Sequence, residues 1–462
     1  MKKLFIVVIG LLGFSIVGAQ NSNPVQIFYA PLDSAEASPV REFQYQEFEG
    51  RVKGGGNIEV IPEFRFQTIE GIGGAFNEIG GEALLSLDPK QQREVMANMF
   101  DIANAGFSFC RTSIGASDFG IDAYSYSEVP EDYEMTKFSI DRDKKFVLPY
   151  LKLAIEINPE LKVFGSPWSP PAWMKENGQM AGVDPEHSRL RSEKKVYQAY
   201  ARYFSNYVKA YRENGVNISR ICVQNETDIS TKYPSCIMPP AQLLELATEY
   251  IQPEFARENS STEVYAGTFR IAGEMVMHKY LLLDRASELD GIGVQYTSSS
   301  KLMEVQSKFP AIKFMHTEGK CFDGKNTVEQ GQSRLEEICS YVNANCTNYC
   351  YWNMILNETT QSGWGWAQNS LINIDREKKT VKYNPDYNVI YLVSKFIRPG
   401  DIRVASTGGG NGLLSVVAPD GTIKLVVQNE SEKEEAYSVT INGKENKFIL
   451  PARAIVAIVC EN

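Results

Sequence analysis

Between residues 66 and 396 the chain alternates short apolar runs with helix-patterned stretches, eight times over. The runs are "GIGGAF" (71–76), "FSFCRTSI" (107–114), "LKVFGSPWS" (161–169), "RICVQNE" (220–226), "EVYAG" (263–267), "GIGVQY" (291–296), "IKFMHTE" (312–318) and "CYWNMIL" (350–356). Between them, segments such as "KKVYQAYARYFSNYVKAYREN" (194–214) and "PAQLLELATEYIQPEFAREN" (240–259) place apolar residues three and four apart, the spacing of a helix packed on one face. Eight strands alternating with helices predict a closed parallel (β/α)8 TIM barrel; a doubly wound open sheet is the rival arrangement.

The flanks read differently. Before the barrel, "FQYQEFEGRVKGGGNIEVIPEFRFQTI" alternates apolar and polar residues around a triple glycine, as strands joined by a turn do. After it, "GLLSVVAPDGTIKLVVQNE" and "AYSVTINGKENKFILPARAIVAIV" alternate around "PDG" and "NGK", predicting hairpins of a small β-sandwich. The early strands are expected to join that sandwich, since alone they leave exposed edges. The extreme N-terminus, "MKKLFIVVIGLLGFSIVGAQ", sets two lysines before an apolar core that ends in small residues, the layout of a secretory signal cut near Ala19; a transmembrane anchor is the rival. The expected organisation is therefore a signal peptide at 1–19, N-terminal strands of the sandwich at 20–65, the (β/α)8 barrel at 66–396 and the C-terminal β-sandwich at 397–462. Export implies a secreted or periplasmic protein, with no integral membrane span once the signal is removed.

A formal net charge of −10 and the lack of a long Lys/Arg cluster argue against nucleic acid as a partner. Three histidines, and cysteine spacings without a paired C-x-x-C, make a metal site improbable. Eight cysteines in an exported chain permit disulfides, and buried free thiols serve equally well. "GKCFDGKN" (319–326) nearly spells a phosphate loop but ends in Asn326 where a hydroxyl belongs, and "GIGGAF" lacks the third glycine of a dinucleotide fingerprint.

Chemistry in a (β/α)8 barrel sits at the C-terminal strand ends. Glu226 ends the fourth run and Glu318 the seventh, each behind apolar residues that draw it out of water. Two carboxylates over one barrel mouth are what glycosidic bond cleavage requires: one holds a proton for the leaving oxygen, the other stays ionised. Asn225 beside Glu226 supplies an amide suited to a sugar 2-hydroxyl. The tripeptide recurs at Asn357–Glu358–Thr359, beyond the eighth run in a polar segment, where Glu358 reads as a loop residue. All five tryptophans (Trp168, Trp173, Trp352, Trp364, Trp366) fall in or just after the third and eighth runs, and indole faces stack on the C–H faces of sugar rings.

At these residues the sequence resembles glycoside hydrolase family 30, the family of lysosomal glucosylceramidase, from about Phe66 to Val404. "QTIEGIGGAFNE", "CRTSIGASDFGIDAYSYSEVPED", "SPWSPPAWMKENG", "VQNE", "TEG", "YWNMILN" and "SKFIRPGDIRV" occur in the family's order. The resemblance implies a retaining β-glycosidase with a barrel and side β-sandwich, with Glu226 as acid/base, Glu318 as nucleophile and the two carboxyls ~5–5.5 Å apart. It implies that Asn225 holds the 2-hydroxyl, that Asp118 and Trp168 bind outer hydroxyls, that Trp352 forms a platform and that Arg111 orients a glutamate near the pocket floor. The substrate it implies is a carbohydrate (β-glucan, oligosaccharide or glycolipid headgroup) handled without cofactor or metal. A β-xylanase of the same family and a catalytically degenerate carbohydrate-binding protein are the alternatives. Two departures stand out. Thr227 replaces the usual proline after the acid/base pair. On the sixth strand, where relatives carry His-Trp-Tyr, this chain has Gln295, Tyr296 and Thr297. That displaces Tyr296 by one position, which on a strand reverses its face.

Overall fold

The computed structural model describes residues 25–52, 56–270 and 286–460; residues 1–19, read as a signal from their sequence, and most of the triple glycine lie outside them. Eight parallel strands form the barrel: β1 (Gly71–Phe76), β2 (Phe109–Ser113), β3 (Lys162–Ser166), β4 (Ile218–Cys222), β5 (Glu263–Phe269), β6 (Gly291–Gln295), β7 (Phe314–Glu318) and β8 (Asn348–Asn353). They pair in chain order, β8 returns to β1, and β7 meets β8 through Thr347 N–H on Phe314 C=O (3.1 Å) and Gly319 N–H on Cys350 C=O (2.7 Å). That closure excludes the open sheet.

The glycines of "GIGGAF" are there for close approach. A Cβ on Gly73 would stand 2.4 Å from the carbonyl oxygen of Phe109, and one on Gly74 2.5 Å from Cγ of Met354. Only hydrogen fits, so this run is a packing device, not a nucleotide fingerprint. The phosphate-loop lookalike is spent likewise: the amides of Gly324 and Asn326 both donate to Oδ1 of Asn369 (3.0 and 3.2 Å).

The helix Lys194–Glu213 buries Tyr197, Tyr200, Tyr203, Phe204, Tyr207 and Tyr211 along one stripe, as its sequence pattern predicts. The segment 240–259 departs from the single α-helix expected of it. It runs as α-helix Pro240–Glu245, π-helix Leu246–Ile251 and α-helix Gln252–Arg257. Pro253 has no N–H to give residue 249 and its ring crowds that carbonyl, and the wider π turn absorbs the mismatch.

Nine strands form one continuous sheet beside the barrel. Val25–Pro31 pairs antiparallel with Ala454–Cys460 along its whole length, and Asn57–Thr68 lies between Glu435–Ile441 and Ile402–Thr407. The sheet closes on a separate apolar core that includes Ile27, Val60, Leu425, Val439, Phe448 and Ile458. Asn442 and Gly443, with φ of 52° and 75°, make the left-handed turn of its last hairpin. All eight cysteines are buried free thiols.

Asp143 ties the long loop after β2 to the helix Lys194–Glu213. It accepts from the hydroxyls of Tyr124 (2.6 Å), Tyr126 (2.5 Å) and Tyr211 in a fully buried cluster. Asp143→Leu strands three buried hydroxyls, each costing about 1–3 kcal/mol. The expected result is a loss of about 3 kcal/mol or more in chemical denaturation; a loss under about 1 kcal/mol would show that the cluster does not hold this loop.

Candidate active site

The C-terminal strand ends converge on a cavity of about 590 Å³. Its walls include Asp118, Trp168, Asn225, Glu226, Tyr296 and Glu318, so residues more than a hundred positions apart meet at one mouth. Arg111, expected to orient a glutamate near the pocket floor, and Trp352, expected to form a platform, both lie behind that wall at 0% exposure. The Trp352 ring stacks on Trp168 (4.9 Å between centroids, 27°), which stands between it and the cavity.

Local backbone aims the polar groups. Glu226 has φ +45° and Tyr296 φ +53°, a left-handed conformation that side chains of this size adopt rarely and that is held here by surrounding contacts. At Glu226 the amide donates to Thr268 C=O (3.0 Å), while Asn225 N–H donates to Pro167 C=O (2.8 Å). Register slips between His316 and Glu318 on β7, so Thr317 is an extra residue that redirects Glu318. The left-handed turn also settles the sixth strand. It cancels the reversal of face expected there, and the Tyr296 hydroxyl donates to Glu318 Oε1 at 2.6 Å.

Beneath the floor, Arg111 donates through Nη1 to Glu318 Oε2 (2.7 Å) and Thr317 C=O (3.1 Å). Its Nη2 reaches Asn225 Oδ1 (2.8 Å), and Nε and Nη2 share Ser166 Oγ (3.0 and 2.7 Å). Thr268 Oγ1 also donates to Asn225 Oδ1 (2.7 Å), which fixes the amide with its nitrogen as the remaining donor. Gln295, overlooked in the sequence, sits at the centre. Its Nε2 lies 3.3 Å from Glu226 Oε1 and 3.2 Å from Glu318 Oε2, while Thr317 Oγ1 donates to its Oε1 (2.8 Å) and sets which end faces the carboxylates. The signal was present: Gln295 is a polar residue ending an apolar barrel strand, as Glu226 and Glu318 are.

Electrostatics separate the acids. Burial first, and then the charge of Glu318, push Glu226 up to about 7, against the opposing pull of Arg270 and the Gln295 hydrogen bond. Asp118 is raised well above the carboxylate range by burial and by Glu318 and Glu226, and its Oδ1 has no hydrogen-bond partner among the described residues. Glu318 has Arg111 and two further donors on its oxygens. A carboxyl whose burial and charged neighbour favour its proton, beside one held by a guanidinium and two further donors, can do acid and nucleophilic work together. Glu358, in the second tripeptide, is instead paired with Arg376 (2.7 Å) and does not line the cavity. Among the described residues no cluster of three or more His, Cys, Asp or Glu is placed to hold a metal ion.

Comparison with known proteins agrees with this arrangement. Residues 69–397 match the glycosyl hydrolase family 30 TIM-barrel domain, and 402–458 the family 30 beta sandwich domain. The chain is 26% identical to a putative glucosylceramidase 3 of Caenorhabditis elegans, over 87% of this chain and 81% of that protein. It is 25% identical to an endo-1,6-beta-D-glucanase of Aspergillus fumigatus, over 85% of each. Its fold superposes on SrfJ from Salmonella typhimurium with a TM-score of 0.84 at 23% identity, over 95% of this chain and 100% of that one. With the barrel match alone covering well over half of the sequence, the chain belongs to glycoside hydrolase family 30 and is a glycosidase.

Proposed function

We propose that this glycosidase is an exported retaining enzyme that cleaves β-glucosidic bonds by double displacement, with Glu318 as nucleophile and Glu226 as acid/base. The observation that carries this reading is the single amide nitrogen of Gln295 in contact with both carboxyls. One atom touching both favours the ~5–5.5 Å spacing of direct attack over the ~6.5–9.5 Å that admits a water between carboxyls. Export rests on the leader-like residues 1–19; among the described residues no helix is long and apolar enough to cross a membrane.

In the first step a Glu318 oxygen bonds to the anomeric carbon as the bond to the leaving oxygen breaks, and Glu226 gives that oxygen its proton. In the second, ionised Glu226 takes a proton from water, the resulting hydroxide attacks the same carbon, and the ester to Glu318 breaks. The Nδ2 of Asn225 is the donor for the 2-hydroxyl, and the unpartnered Oδ1 of Asp118 takes an outer hydroxyl of the sugar. Trp168 supplies an apolar face beside it. Arg111, Trp352 and Tyr296 position these groups and Glu318.

Glu318→Gln and Glu226→Gln are each expected to lower kcat on β-linked glucosides by at least ~10²–10⁴-fold. The first sugar product, followed by proton NMR, should be the β-anomer. Immediate formation of the α-anomer would mean inversion and overturn double displacement, whereas equal, negligible rates for wild type and Glu318→Gln with sugar binding retained would favour a binding protein on a hydrolase scaffold.

The pH profile follows from Glu226. Its raised midpoint keeps it protonated in mildly acidic solution, so kcat/KM should fall as pH rises through about 7. Gln295→Leu removes a donor that favours the ionised form, so the basic limb should move to higher pH while the rate falls. A limb that stays put or moves lower would contradict the role given to this amide.

A further inference from the structure

The cavity is larger than one sugar ring needs, and its outer part is built differently from its floor. At about 590 Å³ it lies in the range that accommodates a drug-sized ligand. Tyr233, in the loop after β4 and seven residues beyond Glu226, lines it together with Trp366 from the loop after β8. The two rings approach to 4.9 Å between centroids at 47°. We propose that this pair is a second sugar subsite, binding the pyranose next to the one held by Asp118, Trp168 and Asn225. On this proposal, which rests on the glycosidase reading above, the substrate is a β-linked saccharide chain and not a glucoside of a lipid.

Three observations carry it. First, the pair is presented rigidly. Ser362 N–H donates to Trp366 C=O (2.8 Å), and Ser362 Oγ accepts from the amides of Trp364 (3.2 Å) and Trp366 (3.4 Å), closing the turn that carries the indole. Phe119 meets Trp366 edge-on (6.3 Å, 87°) and Trp352 edge-on (6.4 Å, 82°), so the mouth platform is braced against the aromatic floor. Preorganised rings lose little entropy on binding.

Second, both rings stay only partly buried although the barrel core adjoins them. An indole and a phenol held half-open at a cleft mouth offer flat apolar faces with polar tips, matching a pyranose with its C–H face and hydroxyl rim. Third, much of the remaining lining of the same cavity is polar: Thr297, Lys320, Glu337, Ser340 and Gln368. An alkyl chain laid there would desolvate these groups, whereas sugar hydroxyls can accept from the Lys320 ammonium, donate to the Glu337 carboxylate, and do either with the hydroxyls and the amide.

The test compares kcat/KM for three substrates: a β-1,6-linked glucotriose, octyl β-glucoside and β-glucosyl fluoride, whose leaving group carries no ring or chain. Wild type should prefer the triose to octyl glucoside. Trp366→Ala and Tyr233→Ala should each lower the triose value about 10- to 100-fold and the fluoride value far less, while Trp366→Phe keeps most of the triose activity. Proportional losses on all three substrates, or a wild type that prefers octyl glucoside, would overturn the second subsite. A wild type inert to the fluoride as well would overturn the glycosidase reading itself and the subsite with it.

Discussion

Arg111 holds a full charge with no exposed surface, a state costing several kcal/mol unless every donor is matched. It is matched. Carboxylate, backbone carbonyl, amide oxygen and hydroxyl acceptors come from Glu318, Thr317, Asn225 and Ser166, on or just beyond three different barrel strands. Trp168 and Trp352 lie 4.4 and 5.3 Å from the guanidinium carbon, so the cation meets π-systems where its N–H groups meet oxygens. Because the fork is planar and rigid, the positions of Glu318 and Asn225 are fixed relative to each other by one group. A lysine has the charge but not the fork, and its three donors would leave at least one of these four acceptors unserved.

The same cation accounts for the asymmetry between the acids. Glu318 bonds it directly, whereas Glu226 has Gln295 on one oxygen and feels Arg270 only through space. Two chemically identical side chains, both buried over one cavity, therefore sit in unlike electrostatic settings. The backbone keeps them there at some cost. Left-handed residues at 226 and 296 and the extra residue at Thr317 each depart from regular strand geometry, and all three fall at strand ends facing the cavity. Such departures persist only where surrounding contacts over-determine them, and here the contacts are the polar network itself.

What the sequence disclosed divides along the same line. Apolar periodicity located all eight strands, because a strand covered on both faces must be a short apolar run whatever its neighbours are. Glu226, Glu318 and Asn225 were visible because they end such runs. Tyr296 was harder: strand alternation assigns it the wrong face, and only a positive φ, which no residue pattern at a tyrosine signals, turns it back. Trp352 and Arg111 were found as site residues, but the layer each occupies was not legible, since sequence shows that a side chain points inward and not what stands in front of it. Gln295 was legible by the rule that found the glutamates, since it too is a polar residue ending an apolar barrel strand. The π turn before Pro253 was legible too, since a proline inside a helical pattern demands some accommodation.

The repeated tripeptide shows how little of a catalytic assignment resides in the residues named. Asn225–Glu226–Thr227 and Asn357–Glu358–Thr359 are identical in sequence and opposite in setting. Glu226 is buried and shares its surroundings with another carboxylate, which raises its proton affinity. Glu358 is held by the Arg376 guanidinium and backbone amide and falls to about 2, so it stays ionised across the whole range in which a general acid would have to carry a proton. Asn357 likewise spends its Oδ1 on the amide and hydroxyl of Thr359, closing a local turn, where Asn225 spends its own on Arg111 and Thr268 across the barrel. Local partners make the second copy a loop stabiliser. Distant partners, brought in by barrel closure, give the first copy its buried setting beside a second carboxylate.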